Sequence, residues 1–408
     1  MLSLAEARVA MLDGVVRLGT ETVGVADCSG RILAADIVAD RDQPAVALSA
    51  MDGYAIRSAD VAAQAILHVI GSALAGEDFT EIVGRGEAVR IATGGCVPAG
   101  ADRVIIQEQV TRDGDVIRID DASSMRTHIR PAGGDFRAGQ VVALAGASIT
   151  PACRMLIAAT NTAEVAVARR PRVAIVPSGD ELREPGSPLG DAQIVNSGVF
   201  AIADLVERWG AVPLRQPILP DALDACLAQL RACDLDVDVI VTLGGASVGD
   251  HDSLRPAFDA LGAELKFDRI AVIPGKPSWH ARFPDGRLVV GLPGNPASAF
   301  VCAHLLLKPL LFGLIGRDPA DATATVKAMS ASDLPATGPR EAFLRATVTV
   351  GEDGRLRAAT DARQDSSMIT PLIVANGLVR RPVQAPAIAV GETVELLLLA
   401  PPYSSSSS

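Results

Sequence analysis

Three short, almost unbroken apolar runs constrain this chain most: Val173-Ala-Ile-Val176, Val239-Ile-Val-Thr-Leu243 and Leu288-Val-Val290. Each is followed at once by a loop of unusual composition. The loops are Ser178-Gly-Asp-Glu181, Gly244-Gly-Ala-Ser-Val-Gly-Asp-His-Asp252 and Pro293-Gly-Asn-Pro-Ala-Ser298. Short apolar runs alternating with helical patterns predict an open, largely parallel α/β sheet. Ligands of such sheets bind outside the carboxyl ends of the strands. Strand followed by polar loop, three times over, is therefore a prediction about a site as well as a fold.

At 408 residues the chain is too long for one ordinary domain. Apolar residues make up 49% and aromatics only 3%, so the cores must be built from Ala, Val, Leu and Ile. A net charge of −11 argues against a general binder of nucleic acid or membrane surfaces. It does not exclude an anionic substrate, which backbone donors and a few cations can hold. The six cysteines form no CxxC pair, so neither a zinc knuckle nor a thioredoxin-like site is expected. Cys226 and Cys302 fall in apolar helical patterns and are expected in the core. No basic region followed by an apolar stretch is read at the N-terminus. The apolar segment from His304 to Gly316 is too short to span a bilayer. A cytoplasmic protein without a membrane segment is expected.

In chain order, residues 3–17 read as a helix, with Ser3 and Glu6 at capping-box spacing. Residues 60–136 are glycine-rich with short strand-like runs, which predicts a small β-rich domain. Ahead of that stretch, in residues 44–55, Asp52-Gly53 sits between apolar flanks. Thr93 precedes Gly94-Gly95, a loop that either aims N–H groups at an anion or simply turns. Pro151 to Asn161 reads as a helix with proline at its first position. The central domain follows Arg169-Arg-Pro171. There Asn196 or Ser197 is read as the cap of a helix stopped by Gly210, and Asn295-Pro296 as the start of a long apolar helix. From about residue 320 alternating runs predict a small all-β domain, and Ser404–Ser408 is expected to be disordered.

Four acidic side chains, Asp180, Glu181, Asp221 and Asp252, lie where strand ends should converge. Carboxylates that share a site repel unless a cation bridges them, and Mg²⁺ takes one or two carboxylates with phosphate oxygens and water. Asp221 could instead cap the helix after it. The Gly244 loop is neither a P-loop nor GxGxxG, yet Gly244, Gly245 and Gly249 would let backbone approach phosphate, with Ser247 as a further donor. Lys276, between two prolines in Pro274-Gly-Lys-Pro277, is either a solvated charge or an anion ligand. Residues alone predict Mg²⁺-dependent phosphate chemistry.

Taken together, the chain resembles the MoeA-type molybdopterin molybdenumtransferases, whose eukaryotic relatives include the gephyrin E domain. The resemblance covers essentially everything but the serine tail. It rests on Ser49-Ala-Met-Asp-Gly-Tyr-Ala55, Thr93-Gly94, Ser178-Gly-Asp-Glu-Leu182, the Gly244 loop with Asp252, Pro274-Gly-Lys-Pro277 and Gly291-Leu-Pro-Gly-Asn-Pro-Ala-Ser298. It implies that adenylylated molybdopterin and molybdate yield molybdenum cofactor and AMP, with Mg²⁺ required. It also implies a homodimer whose site is shared between subunits, and a molybdopterin adenylyltransferase as upstream partner.

Carried over by position, Asp52, Thr93, Glu181, Asp221 and Asp252 match catalytic residues, the last three also as metal ligands. Asp135 matches a further acidic position, although Arg130-Pro-Ala-Gly-Gly departs from the more charged loop expected there. Ser178, Gly179, Asp180, Gly244, Gly245, Ser247, Gly249, Lys276, Pro293, Gly294, Asn295 and Ser298 are expected to hold the pterin substrate. Arg340, Arg345, Ser366 and Ser367 resemble segments that approach molybdate; arginine forks and hydroxyls suit a tetrahedral oxyanion. Residues 1–45 with 137–170 are expected to form an elongated N-terminal domain, and 46–136 an inserted β-rich one. Residues 171–318 would be the molybdopterin-binding α/β domain and 319–401 a C-terminal β-barrel-like domain, leaving 402–408 as a tail. Two rival readings remain: the adenylyltransferase itself, whose members resemble the central domain alone, and a non-catalytic molybdopterin-binding scaffold.

Overall fold

The computed structural model describes residues 1–77, 79–233, 236–245 and 253–404. The chain divides into two units, residues 22–167 and residues 1–21 with 168–408. The larger unit begins with α1 (Leu4–Leu12). Ser3 Oγ accepts from Glu6 N at 3.2 Å while the Glu6 carboxylate accepts from Ser3 N at 2.8 Å, the expected capping box. The helix stops five residues short of the expectation. Gly14, at φ +63°, takes the left-handed conformation that ends helices, so Val15 lies beyond it.

The smaller unit holds a six-stranded sheet of β1 (Gly53–Ile56), β2 (Ile66–Ala73), β3 (Glu87–Ile91), β4 (Arg103–Ile106), β5 (Val110–Asp113) and β6 (Val116–Ile119), in the order β4-β1-β3-β2-β6-β5. Alternate residues serve opposite faces: Tyr54 and Ile56 pack with Leu67 and Ile117, Ala55 with Val89 and Val104. A separate core of Cys28, Leu33, Ile149 and Val167 lies under α2 (Pro151–Ala159). Thr150 Oγ1 caps that helix at Cys153 N, 3.2 Å away, with Pro151 in its first turn.

Back in the larger unit, the chain continues through β7 (Arg172–Pro177), α3 (Gly198–Arg208), β8 (Val212–Arg215), α4 (Leu223–Ala232), β9 (Val239–Leu243), α5 (Leu254–Ala260), β10 (Glu264–Phe267), β11 (Trp279–Arg282) and β12 (Leu288–Leu292). The sheet order is β8-β7-β9-β12-β11-β10, parallel from β8 to β12, with β11 and β10 added antiparallel. Helices cover both faces, which is why the central strands read as unbroken apolar runs. Val173, Ile175, Val241 and Val290 face one core, and Ala174, Val176, Ile240 and Val289 the other. Cys302 is in the first core and Cys226 in the second, as their spacing predicts.

α6 (Pro296–Cys302) continues through a π-helical stretch, Ala303–Leu307, into α7 (Lys308–Leu314). Pro309 has no N–H for the carbonyl of Leu305 four residues back. Arg8 Nε, reaching from α1, donates to that carbonyl at 2.8 Å. The combined helix Pro296–Leu314 has 19 residues and a mean hydropathy of 1.7, so by length and composition it could cross a membrane; it is 83% buried inside the core instead. The segment from His304 that the sequence set apart is thus part of a longer core helix. Last come β13 (Val326–Ser330), β14 (Glu341–Val350), β15 (Leu356–Thr360), β16 (Gly377–Arg381) and β17 (Thr393–Leu398). They pair β14-β15-β13-β17-β16, and β16 pairs back to β14, closing a small barrel.

Candidate active site at the ends of three parallel strands

Strand register decides where the three loops begin. Pro177 pairs with Leu243 and Leu243 with Leu292, so β7, β9 and β12 end level. The loops then meet through glycines. Gly244 has φ +97°, and a side chain there would strike the carbonyl oxygen of Ser178. A Cβ on Gly294 would stand 3.3 Å from Gly244 Cα. These positions admit glycine because backbone passes against backbone. A cleft of about 660 Å³ opens over them. Ser178, Gly179, Gly244, Gly245, Pro293, Gly294 and Asn295 all line it. Ser178 Oγ is buried without a hydrogen-bond partner among the described residues.

The acidic residues arrive by two routes. Glu181 follows β7 directly. Asp221 comes from the far side of α3 and β8, carried in by a short backbone pairing: Leu219 N donates to Pro177 O at 2.8 Å and Gly179 N to Leu219 O at 3.1 Å. Asp180 N then donates to the Asp221 carboxylate, and Asp221 N to the Asp180 carboxylate, each at 3.2 Å. Asp221 therefore does not cap α4; the N-cap is Ala222, without a side-chain bond. Glu181 and Asp221 line the cleft, whereas Asp180 is exposed outside its lining. Among the described residues no group of three or more His, Cys, Asp or Glu side chains is placed to hold a metal ion. Asp252, Ser247 and Gly249 lie outside the described residues.

Lys276 stands on the cleft wall on a pinned turn. Gly275, at φ +120°, leaves no room for a side chain because Cys302 Sγ occupies that space. Ser278 N and Oγ both donate to the Gly275 carbonyl, at 3.0 and 2.9 Å. The exposed Lys276 ammonium has no ion pair among the described residues. A second cation in the lining, Arg269, was not singled out from the sequence. Asp268-Arg269 looks like an ordinary surface pair; only the bond from Ile270 N to Lys276 O, 3.0 Å, brings it beside Lys276.

Other expectations are corrected. Neither Asn196 nor Ser197 caps α3 through its side chain; Asn196 Nδ2 donates to Glu184 at 3.2 Å. Asn295 occupies the N-cap of α6, but its amide donates to Ser366 Oγ in the barrel loop at 2.9 Å instead of capping. Ser298 is buried and does not line the cleft. Arg345 is buried and not offered to a ligand. Its guanidinium donates to the carbonyls of Arg363, Asp365 and Met368 at 2.8, 2.9 and 2.6 Å. Ser367 Oγ is held by Asp365 at 2.6 Å. Of the four candidates for molybdate, Arg340 and Ser366 keep donors to offer.

In the smaller unit, Gly53 of β1 pairs with Ile91 of β3, which sets Asp52 beside Thr93. Thr93 N and Oγ1 both donate to Asp52 Oδ1, at 2.6 and 2.9 Å. These donors, with Arg90 nearby, hold the exposed Asp52 carboxyl below the usual carboxylate range. The glycine loop is a turn, not an anion nest: Gly94 N donates to Ser49 O and Gly95 N to Ala92 O, each at 2.9 Å. Asp135 is exposed in the same unit.

Comparison with known proteins follows this layout. Residues 2–161 match the MoeA N-terminal region (domain I and II), residues 174–313 a probable molybdopterin binding domain, and residues 327–399 the MoeA C-terminal region (domain IV). The chain is 33% identical over 398 residues to the molybdopterin molybdenumtransferase of Haemophilus influenzae, covering 97% of this chain and 98% of that one. It is 33% identical over 390 residues to the Bacillus subtilis protein of the same name, covering 93% and 90%. The solved molybdopterin biosynthesis MoeA protein of Pyrococcus horikosii superposes with a TM-score of 0.83 at 30% identity, over 98% of this chain and 100% of that one.

Proposed function

Because the chain belongs to the MoeA family of molybdopterin molybdenumtransferases, we propose that it takes adenylylated molybdopterin and molybdate and yields molybdenum cofactor and AMP, with Mg²⁺ as cofactor. The observation that carries this reading is the cleft at the level ends of β7, β9 and β12, lined by the carboxylates of Glu181 and Asp221, by Lys276 and by glycine backbone. Such a cleft suits a ligand that is both phosphorylated and accompanied by a cation.

The donor set fits Mg²⁺, which takes one or two hard carboxylates and fills its remaining positions with water and phosphate oxygens. Glu181 and Asp221 would hold it, and Asp252 is the third ligand the resemblance implies; bound Mg²⁺ supplies charge stabilisation on a phosphoanhydride. Lys276 attracts the phosphate end of the substrate. The glycines at 244 and 245 let the backbone come close to phosphate, and Ser178 Oγ, buried and without a partner among the described residues, donates to an oxygen there. Arg340 and Ser366 hold molybdate, and the Asn295–Ser366 bond ties that barrel loop to the cleft's rim. Asp52, kept ionised by Thr93, acts as an acceptor that orients a proton-bearing group. The working form is a cytoplasmic homodimer in which the smaller unit of one subunit supplies Asp52 to the central domain of its partner. A molybdopterin adenylyltransferase delivers the substrate.

The test is AMP release from purified protein given adenylylated molybdopterin and Mg²⁺, with and without molybdate. Molybdate-dependent release, with product able to activate an apo-molybdoenzyme, supports the reading. Synthesis of adenylylated pterin from molybdopterin and ATP would replace it with the adenylyltransferase. Binding with neither reaction would leave a scaffold.

A further inference from the structure

We propose that Arg269 is a second substrate-binding cation of the cleft, acting with Lys276 on the pterin phosphate; this rests on the reading above. The charges of the cleft are sorted by strand. Glu181 follows β7 and Asp221 follows β8, at one edge of the parallel sheet, whereas Arg269 and Lys276 both lie between β10 and β11, toward the other. The glycine turns after β9 and β12 separate the two sets. A ligand crossing this cleft therefore meets carboxylates at one end and cations at the other.

Arg269 is built to present a fork. Its Nε donates to the neighbouring Asp268 carboxylate at 3.1 Å, which fixes the guanidinium plane. Neither Nη group has a hydrogen bond among the described residues. Backbone bonds hold the segment on both sides: Leu2 N donates to Arg269 O at 3.2 Å, Ala271 N to Leu2 O at 2.7 Å, and Ile270 N to Lys276 O at 3.0 Å. In free molybdopterin the pterin phosphate is terminal and carries between one and two negative charges near neutral pH; in the adenylylated substrate it is one half of a phosphoanhydride whose two phosphates carry one negative charge each. Lys276 alone supplies one positive point charge. A guanidinium adds a second charge and two parallel donors matched to phosphate oxygens. The pterin phosphate accordingly lies at the Arg269–Lys276 end, and the bond to be cleaved lies toward Glu181 and Asp221.

The test compares the full-length wild type with Arg269→Gln and Arg269→Lys, using equilibrium binding of molybdopterin and steady-state AMP release. Arg269→Gln should weaken binding and raise KM for adenylylated molybdopterin about 10-fold or more, with kcat changed by less than about 3-fold. The salt dependence of binding should become shallower. Arg269→Lys, which keeps the charge but loses the fork, should fall between the two and keep the wild-type salt dependence. The lysine variant decides the matter if the glutamine variant proves unstable in a thermal melt. Unchanged binding and KM in the variants, or a loss confined to kcat, would overturn the role of Arg269 while leaving the transferase reading intact. A wild type that binds no molybdopterin would overturn both.

Discussion

Asp180 and Asp221, forty-one positions apart, each donate a backbone N–H to the other's carboxylate, both at 3.2 Å. The pairing locks the loop after β7 to the segment before α4 and fixes the direction in which Asp221 meets the cleft. Asp221→Asn retains an acceptor for Asp180 N and removes the charge. Molybdenum insertion by this variant should need roughly 10-fold more Mg²⁺ for half-maximal rate. A Mg²⁺ titration identical to wild type would take Asp221 out of the metal set.

Asp52 should be indispensable: Asp52→Ala should abolish insertion and leave the thermal melt unchanged. If the site is shared across a dimer, mixing that protein with Asp252→Ala should restore part of the activity through heterodimers. No rescue, with subunit exchange demonstrated, would count against sharing.

Thr93→Val keeps the backbone donor to Asp52 and deletes the hydroxyl. Because these donors depress the Asp52 carboxyl, it should titrate at higher pH in the variant, as read by carboxyl-carbon NMR. The acid limb of the activity profile should move up in pH with it. The stability that this carboxylate contributes is present above its unfolded value and is lost as pH falls through the lower folded value.

Arg345 holds the loop that carries Ser366 by serving three of its carbonyls. Arg345→Met should cost roughly 2–4 kcal/mol in denaturant unfolding, since those carbonyls lose a buried charged donor. A cost below about 1 kcal/mol would mean that the loop holds itself.

His280 and His304 are both buried, with values pushed down to about 4 by desolvation, and each Nδ1 lies against a carbonyl, Val289 O at 2.8 Å and Phe300 O at 2.9 Å. Arg282 and Lys266 add to the effect at His280, and Lys308 at His304. The unfolded chain therefore binds more protons than the native one in acid. Their contribution is complete above about pH 6.5 and falls away as pH drops toward 4, by up to roughly 3 kcal/mol per histidine. Thermal midpoints should decline across that window, and His304→Gln should flatten the decline. An unchanged slope would contradict the assignment.

The sequence by itself determined the parts that rest on local pattern. Unbroken apolar runs marked β7, β9 and β12 because strands covered on both faces need no polar side. The loops after them were marked as a site because glycine is what close backbone approach admits. Ser3 with Glu6, and Pro151 at a first helical position, announced their helix starts because these signals act within one turn. Tertiary structure decided what depends on partners distant in the chain. Arg345 and Arg340 look alike in sequence, yet one is spent on loop carbonyls. Asn295 reads as a cap, yet its amide finds Ser366, seventy-one residues on. Thr93-Gly94-Gly95 reads equally as nest or turn, and the carbonyls of Ser49 and Ala92 decide for the turn. Arg269 carries no local mark at all. Each of these side chains has several possible hydrogen-bond partners, and only the packed chain fixes which of them is within 3 Å.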